Sequence, residues 1–232
     1  MATYKDDDYA SKEGLVEANR LRQHRLVNTP RGANLLAYLQ QVKESITHPV
    51  SFASSSGGGY SQGVPKYGAL SLFASTVNFF VYDNDALQAR FPTAFACGKY
   101  VFFSADFLEE LKKDGSDSVV FVALHELMHI SLLHSYRLKD INPRLANRAM
   151  DYVINTRLRI GHEPGGEAEE YRKEVSGGQN NERQIAHFSV GPSVRQGLGF
   201  EPGDLKKYGR LSEEDVARML MNEPEQQQPS GG

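Results

Sequence analysis

His125, Glu126 and His129 stand in the order His-Glu-Leu-Met-His inside an apolar run, Val119 to Leu133, that reads as one buried helix. Residues four apart on a helix share a face, so the two imidazoles can hold one metal ion while Glu126, about 100° round the helix, stands beside it. Neutral imidazoles are good zinc ligands. They leave positions for a third protein ligand and for a water, whose pKa the metal lowers towards neutrality. A carboxylate next to that water can take its proton as general base. The residue types and spacing therefore point to hydrolysis of peptide bonds with one Zn2+ per chain, His125 and His129 as ligands and Glu126 as the catalytic base. The bland alternative is a pair of core histidines satisfied by hydrogen bonds on a metal-free helix. The apolar flanks VVFVAL and ISLL, and the candidate N-caps Ser116, Asp117 and Ser118, place the motif on an uninterrupted helix.

Such a site needs a third ligand. His134 is nearest, but on a continuous helix it lies about 180° from His125 and points away, which favours a structural role. Asp151 is the better candidate. Asn142-Pro143 is a strong helix start, an N-cap followed by proline at the first helical position, and Gly161 is a natural stop. On that second, antiparallel helix Leu145, Ala149, Tyr152, Val153 and Ile160 form an apolar stripe, while Asn147, Asp151 and Asn155 make a row at spacing four. Short polar residues are poor helix-interior formers, so three in one row imply contacts that offset the lost propensity. The alternative for that row is a solvated helix face. Asn147, Asn155, Tyr152 and His134 are candidate supporting residues.

LHELMHISLLHSYR followed by NPRLANRAMDYVIN resembles the HExxH zinc metallopeptidase domain of bacterial and phage proteins, the type often found N-terminal to a von Willebrand factor A-like domain. The matching positions are His125, Glu126, His129, His134, Arg137, Ala149, Asp151, Tyr152, Ile154 and Asn155, and YVFFSADFLEEL resembles the strand-then-helix lead-in of that family. The resemblance implies a zincin-like fold, zinc on His125 and His129, and Glu126 as base. It also supports Asp151 as a functional residue. No second folded domain is read after Leu220, so what the von Willebrand factor A-like domain contributes is expected to be either absent or supplied by a separate partner protein.

The expected fold class is α+β: a small mixed or antiparallel sheet packed on the HExxH helix and a second antiparallel helix, with an N-terminal helical extension. Residues 1–12 read as a charged mobile arm and 13–50 as the helical extension, in which Glu13 to Val27 is polar. Thr29-Pro30 opens a clearer helix with Leu35, Leu39, Val42 and Ile46 on one face. Residues 51–68, with SSSGGGYSQG, read as a loop or linker, 69–222 as the metallopeptidase domain and 223–232 as a disordered tail. Leu70 to Ala74, Val77 to Asp83, Arg90 to Ala96 and Tyr100 to Phe103 read as strands, with Cys97-Gly98-Lys99 a hairpin turn. By analogy with zincins, Ala94 to Phe103 is the candidate edge for binding an extended peptide. Beyond Gly161 the polar, glycine-rich stretch is a long loop bordered by His162 and His187, either of which could reach the cleft, although a surface position is the ordinary one. Tyr136 has no assigned role. Leu211 to Asp215 reads as a capping-box start to a short helix carrying Val216, Met219 and Leu220.

With 232 residues, 40% hydrophobic and 24% charged, one good core is affordable, and a net charge of -3 gives no basic excess for nucleic acid. Cys97 is the only cysteine, so no intrachain disulfide is possible, and its ordinary role is that of a small packed hydrophobe. No signal peptide or membrane span is read, which predicts a cytoplasmic protein, and the family resemblance implies a bacterium or phage-infected host as its setting, or a virion. The predicted partner is a peptide or protein substrate. A catalytically silent zinc-binding structural or assembly protein, such as a phage component, and a metal-free helical binding module are the alternatives.

Overall fold

The computed structural model describes residues 29–50, 64–65, 67, 69–133, 137–162, 191–197, 205–208 and 210–222. The expected arm, the Glu13 to Val27 helix, most of the 51–68 loop, the C-terminal tail, His134, Tyr136 and His187 lie outside these residues, as does the side chain of His162.

Helix α1 (Pro30–Thr47) begins where expected, with Pro30 at its first position and the Thr29 hydroxyl accepting from the Gly32 N–H at 2.9 Å. Leu35, Leu39, Val42 and Ile46 are buried on one face. A short antiparallel ladder follows, β1 (Pro49–Val50) on β2 (Val64–Pro65). Leu70 to Ala74 is not a strand. It lies in helix α2 (Ala69–Ala74), which buries Ser71 and Ala74, three apart on one helical face. A short apolar run without clear period is compatible with either state, and packing against α1 and the motif helix decides it.

The central sheet has the order β3-β5-β4. Strand β3 (Asn78–Tyr82) runs parallel to β5 (Tyr100–Ser104), and β4 (Ala94–Cys97) is antiparallel to β5 across the Gly98-Lys99 turn, where Gly98 has φ +59°. The Arg90 to Ala96 strand is thus too long at its start. Asp85–Arg90 is helix α3, capped by the Asn84 side chain accepting from the Leu87 N–H at 3.1 Å, and Pro92 separates it from β4. The sheet is mixed, as one of the two expected alternatives.

One face of the sheet, with Phe79, Val81, Val101 and Phe103, joins the main core beneath α1, α4 (Ala105–Asp114) and α5 (Ser116–Ser131). The other carries an aromatic cluster in which Phe95 stacks on Phe102 with centroids 5.0 Å apart, closed by Leu87 of α3. Cys97 is half-buried at the margin of this cluster.

Helix α5 is buried on every side from Ser118 to Met128: the apolar run Val119 to Leu124 requires it, and His125 and Glu126 are carried into the interior with it. Its N-cap is Gly115, at φ +116°, and not Ser116, Asp117 or Ser118. The Ser118 hydroxyl instead accepts from the Gly191 N–H at 3.0 Å. Helix α6 (Pro143–His162) runs antiparallel to α5, with the Asn142 side chain accepting from the Arg144 N–H at 3.0 Å. After α7 (Pro192–Gly197) and α8 (Leu205–Tyr208), α9 (Glu213–Asn222) buries Val216, Ala217 and Leu220 against Ala149 and Val153 of α6. Its start is a reciprocal capping box: the Asp215 N–H donates to the Ser212 hydroxyl at 3.2 Å and the Ser212 N–H to Asp215 Oδ2 at 3.4 Å. No helix among the described residues is long and apolar enough to cross a membrane.

Candidate metal centre

The antiparallel pairing of α5 and α6 sets His125 against Asn155 and His129 against Asp151. His129 Nε2 lies 3.1 Å from His125 Nε2, and Asp151 Oδ1 lies 3.2 Å from His129 Nε2 and 3.5 Å from His125 Nε2. Two imidazole nitrogens and a carboxylate oxygen thus converge on one point, an arrangement of electron-pair donors that requires a proton or a cation among them. Zinc bonds of 2.0–2.1 Å in tetrahedral geometry would separate their donors by about 3.3–3.4 Å, so the observed triangle matches one face of such a tetrahedron. The three residues are the group of His, Asp, Glu and Cys side chains among the described residues that could hold a metal ion.

Asn147 and Asn155 orient this triangle from the same ridge of α6. Asn155 Oδ1 lies 2.9 Å from His125 Nδ1 and accepts its N–H, which leaves the Nε2 lone pair facing the site. Asn147 Nδ2 donates to Asp151 Oδ2 at 2.8 Å and leaves Oδ1 for the histidines. The row at spacing four therefore supplies one donor, Asp151, and the amides that orient Asp151 and His125.

The electrostatics agree with this arrangement. His125 is fully buried, and burial opposes its protonation, yet hydrogen bonding and charge from Asp151, reinforced by Glu126, raise its pKa above the ordinary value. Burial works against the Asp151 carboxylate as well, but His125 and His129 hold its pKa far below the usual carboxylate range. A bound cation would take over this compensation by displacing the shared proton.

Glu126 is 4% exposed and stands beside the triangle without belonging to it. Its charge reaches Tyr82 at the end of β3. The Tyr82 hydroxyl donates to the carbonyls of Phe91 and Thr93, and its pKa is raised well above normal by burial first and by the charge of Glu126 second. Tyr82 was not legible as a neighbour of the motif, because nothing within β3 marks which helix its hydroxyl will approach.

Tyr152 turns the other way. It stacks on Tyr208 with centroids 5.2 Å apart, and its hydroxyl lies 3.4 Å from Arg148 Nη2. The structure does not bring it to the three donors.

Residues 73–189, half of the chain, match the family model described as "Putative metallopeptidase domain". The chain belongs to this metallopeptidase family. The match contains every residue of the candidate metal centre and stops short of α9, while α1 precedes it. Neither a curated protein nor a solved structure matches the chain. Membership in the metallopeptidase family and the convergence of His125, His129 and Asp151 agree on a metal-dependent site in the same stretch of sequence.

Proposed function

We propose that this chain is a zinc-dependent peptidase with a zincin-like site, in which His125, His129 and Asp151 hold the ion and Glu126 is the general base. The observation that carries the reading is the convergence of those three donors within 4.8 Å of one another, with a buried carboxylate next to them that is not itself a donor. When bound, the ion supplies Lewis acidity, lowering the pKa of a water and polarising the scissile carbonyl.

Everything else belongs to the protein. Glu126 takes a proton from the water as its oxygen bonds to the carbonyl carbon, then returns it to the leaving amine as the C–N bond breaks. Asn155 holds His125 in the tautomer that presents Nε2, and Asn147 holds Asp151 so that one oxygen faces inward.

The substrate is an extended peptide that pairs with the open edge of β4. The bond from the Ser104 N–H to the Thr93 carbonyl, 2.9 Å, fixes the ladder's parity, so Phe95 and Cys97 face β5 and the backbone groups of Ala94 and Ala96 point outward. No strand among the described residues occupies that side. An added strand would lie beside α5, the helix that carries Glu126 and packs on β4.

Elemental analysis of the purified protein tests the metal site: about one zinc per chain in wild type, lost in both His129→Ala and Asp151→Ala. A fluorogenic peptide library tests turnover, with Glu126→Gln as the inactive, metal-loaded control. Absence of zinc from wild type after zinc is added back would exclude this reading.

A further inference from the structure

Glu213 is 1% exposed, yet it is an acid at the first position of a surface helix. Its two oxygens are shared between two arginines: Oε2 accepts from Arg137 Nη2 at 2.9 Å and Oε1 lies 3.0 Å from Arg157 Nη1. Glu214 completes the grip on Arg137, accepting from Nε at 3.0 Å and from Nη2 at 2.7 Å. Arg137 follows the exit of α5, where its N–H donates to the Leu133 carbonyl at 3.1 Å. Arg157 lies on α6 two residues after Asn155.

One buried carboxylate thus joins the end of the helix that carries His129, the helix that carries Asp151, and α9. The apolar contacts run in the same direction. Ala149 and Val153, which pack on Val216, Ala217 and Leu220, are each two residues from Asp151, about 200° round the helix. Helix α6 is therefore held between α5, which its Asp151 and Asn155 face, and α9 at its back. The donor triangle spans two helices, so its closure depends on their separation, which Ile154 and Leu158 of α6 set from the core side and α9 supports from behind.

We propose that Glu213 is a positioning residue for the metal centre: by tying Arg137 and Arg157 to α9, it fixes the spacing of α5 and α6 at which His125, His129 and Asp151 meet. The inference rests on the metal-site reading above. It assigns a role in the site to an element outside the 73–189 family match.

Zinc affinity, measured by competition with a chelating dye, tests it on the full chain. Glu213→Gln is expected to weaken zinc binding by about 10-fold or more, the range known for residues that orient ligands indirectly. Glu213→Asp, which keeps the charge, is expected to recover part of that loss. A generic loss of stability is separated by Leu39→Ala, in the core beneath α1, which is expected to lower the melting temperature and leave zinc affinity within about twofold, because it removes no ligand support. Should Glu213→Gln not fold, Arg157→Gln breaks one arm from a half-exposed position and leaves the Arg137–Glu214 pair in place. Zinc affinity unchanged in the folded Glu213 or Arg157 variant, with wild type loaded, would overturn the positioning role alone, as would an equal loss in Leu39→Ala. No zinc in wild type would overturn the metal site and this inference with it.

Discussion

The two edges of the central sheet are treated in opposite ways. On β3 the outward carbonyls of Val77 and Phe79 are taken by α1, with Lys43 Nζ donating to the first at 2.7 Å and Gln40 Nε2 to the second at 3.2 Å. On β4 the outward groups belong to Ala94 and Ala96, and among the described residues only the neighbouring Thr93 hydroxyl approaches them, 3.3 Å from the Ala94 carbonyl. An unpaired edge is a template for pairing with another chain, and proteins ordinarily cover it. Among the described residues the covered edge is the one under α1, and the open edge is the one against the helix of the metal donors. The alanines also present little bulk on the face that α5 covers, so a peptide backbone can approach. The difference supports the proposal that the β4 edge receives an incoming peptide.

The largest effect that sharpens this comparison comes from the chemistry beside the open edge. Glu126→Gln is expected to lower kcat by about 10²- to 10⁴-fold, the span of a general base, while one zinc per chain is retained. Peptide binding at β4 should persist in this variant. Loss of zinc along with turnover would instead make Glu126 part of the metal site itself, and the β4 edge would lose its assigned base. Next in size is Ala96→Pro. Proline is tolerated at an edge where the missing N–H points to solvent, so the fold should survive, whereas an incoming strand would lose a donor. One net hydrogen bond of about 1 kcal/mol corresponds to roughly a five- to tenfold fall in kcat/KM, expressed mainly in KM. Unaltered peptide kinetics with an intact fold would show that substrate does not pair with β4.

Much of the donor set was legible because helical period is a local property. His125, His129 and the row Asn147, Asp151, Asn155 each follow from spacing on one helix, and the Asn142-Pro143 start fixed the second helix closely enough to place them. The elements that were misread lie where local signals conflict. Leu70 to Ala74 is too short for its period to decide, and the Asn84 cap that opens α3 falls in the unassigned stretch between the Val77 to Asp83 and Arg90 to Ala96 readings. Of the candidate edge Ala94 to Phe103 only the β4 part lies at an edge and β5 is central, because the order β3-β5-β4 departs from chain order and emerges only from pairing. Glu213 was hidden for a similar reason. It looks like an ordinary first-turn acid of α9, and its partner Arg137 lies 76 residues away.

The smallest expected effects come from uncovering the protected edge. Gln40→Leu removes the donor to the Phe79 carbonyl and keeps the side chain's bulk, and at about 1 kcal/mol for one net hydrogen bond it should lower the melting temperature by roughly 2–4 °C in a chain of this size. Lys43→Met should cost less. Burial already lowers the pKa of Lys43, so the folded state disfavours the ammonium and part of what its bond to Val77 contributes is offset by desolvation. Methionine keeps the apolar stem and removes that opposing term. Neither variant should change peptide turnover by more than about twofold, since each acts on the edge opposite the proposed substrate edge. In the double variant the newly bare β3 carbonyls should promote self-association at high concentration, readable by light scattering. If turnover fell in step with stability in these variants, the two edges would not be functionally separate, and the opening of β4 would be an accident of chain order instead of a place for substrate.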